Sequence, residues 1–157
     1  MLKIGIIGPE STGKTTLAKA LAQQFNGTYV PEYAREYIER KGTRDITFDE
    51  LCEIAKHQIE QIKLTANSQQ PIAIFDTDLI VTKVWFSYAF GIVPQWLNEA
   101  ILRYPMDAYL LTAPDIPWQP DPARYNGSDA IRQELFDRYE AEIQALNIPY
   151  YIINHTS

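Results

Sequence analysis

Five short runs of apolar residues recur along the chain, and longer stretches with mixed polar and apolar residues separate them. The runs predict β-strands at Leu2–Ile7, Thr28–Val30, Ile72–Asp76, Ala108–Thr112 and Tyr150–Ile153. The first, third and fourth runs are almost continuously apolar, which is typical of parallel strands that are buried on both faces of a sheet.

The stretches between the runs carry apolar residues at the period of an α-helix. The predicted helices are Lys14–Phe25, one that begins at Thr47, about Asp78 to Phe90, one with Pro94 in its first turn, and about Ser128–Leu146. Thr47 and Glu50 match a capping box at the start of the second helix. Strands that alternate with helices predict an α/β fold in three layers, with a five-stranded parallel sheet flanked by helices.

The length, composition and charge of the chain limit the classes of protein to which it can belong. A chain of 157 residues with 46% hydrophobic residues suits a single domain with a full core. The net charge of −6 and the absence of a basic cluster argue against a nucleic-acid partner. No apolar run could cross a bilayer, and the N-terminal run lacks the features of a signal peptide. We therefore expect a cytoplasmic protein without a membrane partner, in which the one cysteine, Cys52, is a core or boundary residue.

Residues 8–15, Gly-Pro-Glu-Ser-Thr-Gly-Lys-Thr, match the P-loop pattern at every fixed position. The loop follows a predicted strand and opens a predicted helix, so that backbone N–H groups and the helix N-terminus can bind phosphate. Lys14 should contact the β- and γ-phosphates of ATP, and Thr15 should supply a hydroxyl ligand for Mg²⁺. The predicted ATP-binding residues of this segment are Gly8, Glu10, Ser11, Thr12, Gly13, Lys14, Thr15 and Thr16.

A second acidic motif, Asp76-Thr77-Asp78, ends the third predicted strand. P-loop proteins place the aspartate of the Mg²⁺ site at this position, so Asp76 is predicted to be a catalytic and metal-binding residue together with Thr15. An aspartate at a strand-to-helix junction is also often only a helix N-cap. For Asp78, a functional role and a capping role are both open.

Four sequence blocks together resemble one family. They are Gly8–Leu17, Glu32-Tyr33-Ala34-Arg35-Glu36, Asp76-Thr77-Asp78 and Ala113–Trp118. In this order they resemble the nicotinamide riboside kinase domain of the NadR-type proteins of NAD salvage. The resemblance implies a P-loop kinase-like fold with a lid loop. It also implies transfer of a phosphoryl group from ATP, with Mg²⁺, to the 5′-hydroxyl of nicotinamide riboside, giving nicotinamide mononucleotide.

Longer members of the family carry an adenylyltransferase domain and some carry a helix-turn-helix, and neither motif is found here. We therefore expect residues 1–157 to be a single P-loop kinase domain. Family members usually continue beyond the last strand into a loop and a final helix. From the C-terminal sequence we expect the adenine side of the site to be reduced or completed by other residues.

The resemblance and the residue types also suggest an acceptor site. Glu32 follows the second predicted strand, where kinases of this architecture often place an acid near the acceptor hydroxyl, and it is predicted to be catalytic. Arg35 could hold a phosphate or could form a plain surface ion pair. The pyridinium ring of nicotinamide riboside is cationic, so aromatic faces and carboxylates should surround it. The predicted substrate-binding residues are Glu32, Tyr33, Arg35, Asp76, Asp78, Trp85 and Trp118; for Trp85, core packing is the alternative.

The segment between the fourth strand and the last helix, about residues 113–127, is predicted to be a lid that closes over the phosphates. Arg124 in this segment is predicted to bind ATP and to stabilise the transferring phosphoryl group, as the fourth catalytic residue beside Lys14, Glu32 and Asp76. Arg132 is a second candidate for ATP binding, with an exposed helix cation as the alternative.

Two other functions fit the same motifs. One is another nucleoside or nucleoside-monophosphate kinase, which would show little preference for a cationic base. The other is a nucleotide-dependent regulatory ATPase module, which needs no acceptor site. The sequence leaves open the oligomeric state, the choice between ATP and GTP, and which of Glu32, Asp76 and Asp78 acts on the acceptor hydroxyl.

Overall fold

The structure is a computed structural model that describes residues 1–9, 12–114 and 129–154. Strands and helices alternate along it in the order β1 Leu2–Ile7, α1 Lys14–Gln24, β2 Thr28–Val30, α2 Tyr33–Lys41, α3 Phe48–Thr65, β3 Ile72–Asp76, α4 Leu79–Phe90, α5 Gln95–Arg103, β4 Ala108–Thr112, α6 Asp129–Leu146 and β5 Tyr150–Ile153. The predicted strands are confirmed with the same bounds, and the predicted helices are confirmed to within one or two residues.

Helix α2 is the element that the periodicity did not predict. It buries only Ala34 and Ile38 of its nine residues, so it has no apolar stripe long enough to show a helical period. Local capping interactions fix the start of α3 and the end of α4. The Thr47 hydroxyl accepts from the Glu50 N–H at 3.1 Å and the Glu50 carboxylate accepts from the Thr47 N–H at 2.9 Å, which confirms the capping box. Gly91, with φ of 67°, ends α4.

The strands form one sheet in the described part of the chain, in the order β2-β3-β1-β4-β5, and every pair is parallel. The chain leaves the central strand β1 toward β2 and β3 and later returns to its other side for β4 and β5. This reversal is a topological switch point, where α/β proteins bind ligands at the carboxyl ends of the strands. The carboxyl ends of the neighbouring strands β3, β1 and β4 therefore lie side by side. They are formed by Asp76, Ile7 and Thr112.

Helices cover both faces of the sheet. On one face, Ala18 and Ala22 of α1 pack against Ile6 and Ile74. On the other face, a larger cluster joins the sheet to helices α2 to α6, and half-buried Cys52 packs against it, as predicted. The predicted three-layer α/β fold is thus confirmed. No helix in the described residues is both long and apolar enough to cross a bilayer.

The predicted lid falls almost entirely on residues 115–128, which lie outside the described residues. So do Glu10, Ser11, Trp118 and Arg124, whose predicted roles stay predictions.

Candidate functional site: the phosphate loop and the ends of the strands

The phosphate loop leaves β1 after Ile7 and enters α1 at Lys14. Gly13 takes a left-handed conformation, with φ of 79°, immediately before the helix. Gly8 has to be a glycine for a different reason: a Cβ atom there would lie 2.0 Å from the Thr112 hydroxyl and 2.7 Å from the Thr112 carbonyl oxygen. The end of β4 thus packs directly against the first turn of the loop.

A pair of buried threonines holds this contact. Thr12 Oγ1 donates to the Pro9 carbonyl oxygen at 2.7 Å, and it lies 2.6 Å from Thr112 Oγ1, which donates to it. Thr12 is 1% exposed and Thr112 is 0% exposed. The side chain of Thr12, which is predicted to bind ATP, ties the loop to β4. Its backbone can still line the phosphate site.

Lys14 and Thr15 begin α1 beside the loop. Lys14 Nζ donates to the Pro9 carbonyl oxygen at 3.2 Å, so the ammonium group lies over the loop that it is predicted to serve. Thr15 Oγ1 donates to Asp76 Oδ2 at 2.6 Å, which brings together the two predicted metal-binding residues from distant parts of the sequence. A hydroxyl beside a carboxylate is a suitable oxygen set for Mg²⁺, which usually takes one or two protein ligands and keeps several waters.

Asp76 is almost completely buried, at 1% exposed, and its two carboxylate oxygens differ in their hydrogen bonds. Oδ2 accepts from Thr15 and also from the Tyr29 hydroxyl, at 2.9 Å. Oδ1 is buried without a hydrogen-bond partner among the described residues. A buried carboxylate oxygen without a partner costs free energy unless a ligand completes it. The donor set therefore fits a metal ion with its water shell.

Tyr29 was not predicted to belong to the site. Burial, the Asp76 charge and the Glu32 charge all raise the pKa of Tyr29 well above its usual value, so its hydroxyl stays a donor. Glu32 itself is half-buried at the N-cap position of α2.

Asp78 has partners within the protein for both carboxylate oxygens. Oδ1 accepts from the Ile80 N–H at 3.1 Å as the N-cap of α4, and Oδ2 accepts from the Tyr109 hydroxyl at 2.5 Å. Burial raises the pKa of Asp78 to about 6. The geometry supports the capping role that the sequence left open. Between the two aspartates, Thr77 has a φ of 78°, which is a strained backbone conformation for a β-branched residue.

The predicted aromatic residues are placed differently from one another. The Tyr33 ring stacks on His57, with centroids 3.6 Å apart and planes 13° apart, and its hydroxyl accepts from Arg40 at 3.1 Å. Trp85 is half-buried and packs against the larger core cluster, which supports core packing. Arg35 Nε donates to Glu39 at 3.2 Å, an exposed pair within α2.

The burial of Arg132 contradicts one of the two interpretations of this residue, that of an exposed cation on the last helix. The side chain is 0% exposed, so the expectation of an exposed helix cation is wrong. Its guanidinium donates to Asp129 at 3.2 Å. A guanidinium stays charged when buried, and such charges in proteins are paired with acids or anions. Arg132 lies in the first turn of α6, directly after the predicted lid.

These features define a P-loop nucleotide-binding protein: a glycine loop between the first strand and helix, and an aspartate at the end of the neighbouring strand. The family model described as an AAA domain matches residues 3–157, and the chain belongs to this family. Its P-loop kinase-like fold also agrees with thymidylate kinase from Ehrlichia chaffeensis, at a TM-score of 0.66 over 99% of this chain and 88% of that chain, with 17% identity.

The chain is similar to the trifunctional NAD biosynthesis/regulator protein NadR. Identity is 28% over 150 residues with the protein from Escherichia coli (strain K12) and 29% over 150 residues with that from Salmonella typhimurium (strain LT2). Each match covers 94% of this chain and 37% of the relative, so the chain spans little more than a third of their length.

Two solved structures of NadR are similar throughout the fold. The complex with NR matches at a TM-score of 0.77 and 28% identity, covering 96% of this chain and 43% of that chain. The complex with NAD and AMP-PNP matches at 0.73 and 28% identity, covering 99% and 44%. The resemblance predicted from the four sequence blocks is therefore confirmed.

Proposed function

We propose that this chain is an ATP- and Mg²⁺-dependent kinase that phosphorylates the 5′-hydroxyl of nicotinamide riboside to nicotinamide mononucleotide in NAD salvage. The observation that carries the proposal is the likeness to NadR in complex with NR, which extends over 96% of the chain. The likeness to NadR with AMP-PNP, an ATP analogue, supports ATP as the phosphoryl donor. Dependence on ATP fits the cytoplasmic location that the sequence predicts.

In this proposal the loop N–H groups and Lys14 hold the donor phosphates, while Thr15 and Asp76 hold Mg²⁺ with its water shell. The metal would neutralise negative charge on the β- and γ-phosphates when bound. Arg132 and Arg124 bind the phosphates from the lid side.

Glu32 is the best-supported group for the acceptor hydroxyl. Asp76 is assigned to the Mg²⁺ site in this proposal, and both oxygens of Asp78 accept hydrogen bonds inside the protein. Glu32 stands at the N-cap position of α2, directly after β2, where kinases of this architecture often place an acid near the acceptor hydroxyl. It would orient the 5′-hydroxyl and accept its proton as the phosphoryl group is transferred. A cationic base also suits a chain with a net charge of −6.

The test is ADP release from Mg·ATP with nicotinamide riboside, uridine, cytidine or thymidine as acceptor. Stimulation by nicotinamide riboside alone supports the proposal. Equal stimulation by neutral nucleosides would assign a general nucleoside kinase, and ATP binding without stimulation by any acceptor would favour a regulatory ATPase module. Glu32→Gln should lower kcat strongly. Glu36→Gln, which alters an exposed carboxylate one helical turn along α2, should not.

A further inference from the structure

The hydrogen bonds of Asp76 are distributed unevenly over its carboxylate. Two neutral hydroxyls, from Thr15 at the start of α1 and Tyr29 in β2, donate to Oδ2. Oδ1 has no hydrogen-bond partner among the described residues and is shielded from solvent. The terminal torsion of an aspartate is soft and roughly two-fold, so nothing intrinsic to the side chain selects which oxygen faces which neighbour. The two donors make that selection.

The position of the Tyr29 hydroxyl is itself well supported. Tyr29 pairs with Ile74 in the parallel register of β2 and β3, two residues before Asp76, and its phenol spans the remaining distance along the strand. The ring packs against the smaller core cluster under α1. Lys19 of α1 lies over the ring, with its amine 5.7 Å from the centroid. Core packing explains the ring, but it does not explain the hydroxyl.

We propose that Tyr29 is a positioning residue that fixes the orientation of the Asp76 carboxylate, so that Oδ1 is kept for the water shell of the bound metal. The inference rests on the proposed function, because it takes Thr15 and Asp76 as the Mg²⁺ site. Because the Thr15 hydroxyl donates its proton to Oδ2, its lone pairs would remain available to a bound Mg²⁺. Without Tyr29, the carboxylate can rotate and Oδ1 can compete for Thr15.

The test separates metal binding from nucleotide binding. Affinity for ATP is measured by calorimetric titration twice, once with excess Mg²⁺ and once with EDTA, for wild type, Tyr29→Phe and Tyr151→Phe. The ratio of the two affinities reports the contribution of the metal. Tyr151 lies on β5, the opposite edge of the sheet, and is 65% exposed, so it offers the same loss of a phenol hydroxyl away from the site.

We expect Tyr29→Phe to lower the ratio by about three- to tenfold, while affinity in EDTA stays within twofold of wild type. Tyr151→Phe should leave both affinities unchanged. In an Asp76→Asn background, Tyr29→Phe should have no further effect on the ratio, because the carboxylate that it orients is gone. This cycle also distinguishes positioning from a general loss of folding, which would weaken ATP binding equally with and without metal.

An unchanged ratio in Tyr29→Phe, or an equal loss of affinity with Mg²⁺ and with EDTA, overturns the inference. Failure of the proposed function is seen separately. If Mg²⁺ strengthens ATP binding in wild type but nicotinamide riboside is not phosphorylated, the acceptor assignment fails and the role of Tyr29 stands. If Mg²⁺ does not strengthen ATP binding in wild type, both are wrong.

Discussion

Replacement of Thr112 by valine tests whether the end of β4 holds the phosphate loop in shape. Valine keeps the shape of the side chain and removes the hydroxyl that donates to Thr12 at 2.6 Å. The second contact of this hydroxyl, with the Ile7 carbonyl oxygen, is 3.4 Å long and contributes little. The perturbation therefore removes essentially one buried hydrogen bond between two neutral groups.

The expected magnitude follows from what remains. Thr12 keeps its bond to the Pro9 carbonyl oxygen, so its hydroxyl is only partly deprived of partners. We expect the free energy of unfolding to fall by about 1–2 kcal/mol, since one buried bond is lost and one acceptor loses its donor. If the loop loosens when this bond is lost, affinity for Mg·ATP should fall by up to about tenfold.

Urea unfolding and calorimetric titration with Mg·ATP measure the two effects. Thr112→Ser keeps the hydroxyl and should retain most of the affinity. Thr82→Val is the matched control, because Thr82 is also buried and its hydroxyl donates to Gln58 at 2.6 Å in the helical layer. It should lose similar stability without losing affinity. The reasoning is refuted if Thr112→Val binds Mg·ATP as tightly as Thr82→Val does.

Three further predictions concern the phosphate loop, the metal site and the loss of folding stability at acidic pH. Gly8→Ala should weaken Mg·ATP binding more than Thr112→Val does, and adding Thr112→Ala should not restore it, because the Thr112 carbonyl oxygen would still lie 2.7 Å from the new Cβ; titration of the single and double variants decides this. Asp76→Asn should reduce the Mg²⁺-dependent gain in ATP affinity by about 10- to 100-fold and leave affinity in EDTA nearly unchanged, and an equal loss in both would contradict a metal role. The hydrogen bond from Lys41 lowers the pKa of Glu50 to about 2, so Glu50 stabilises the fold above its ordinary pKa of 4.5 and this contribution disappears as the pH falls toward 2. Urea midpoints from pH 2 to pH 7 should therefore fall less steeply on acidification in Glu50→Gln, and parallel curves would show that Glu50 is not responsible.

The strands could be predicted from the sequence because each is an apolar run that ends at a sharp change of composition. Helix α2 could not be predicted in this way. Only Ala34 and Ile38 of its residues are buried, so its sequence shows no apolar stripe at the helical period. Arg132 shows the limit of reading charge from sequence. An arginine in the first turn of a helix is usually exposed, and only the packing of α6 buries it.

The site was predictable where one local motif defines it and not where distant strands meet. Lys14, Thr15 and Asp76 occupy positions fixed by the phosphate loop and by the end of a strand. Tyr29 and Thr112 reach the site only through the register of β2 against β3 and of β4 against β1. A tyrosine and a threonine within strands look like ordinary sheet residues, so nothing in the sequence distinguishes their hydroxyls.

The central claim is that the phosphate loop delivers a phosphoryl group to nicotinamide riboside. The most direct measurement follows label from γ-³²P-ATP in the presence of Mg²⁺ and nicotinamide riboside, with separation of the products. The account predicts that the label appears in nicotinamide mononucleotide and that the transfer is lost in Asp76→Asn. Label that appears only in inorganic phosphate, at a rate independent of nicotinamide riboside, would contradict it.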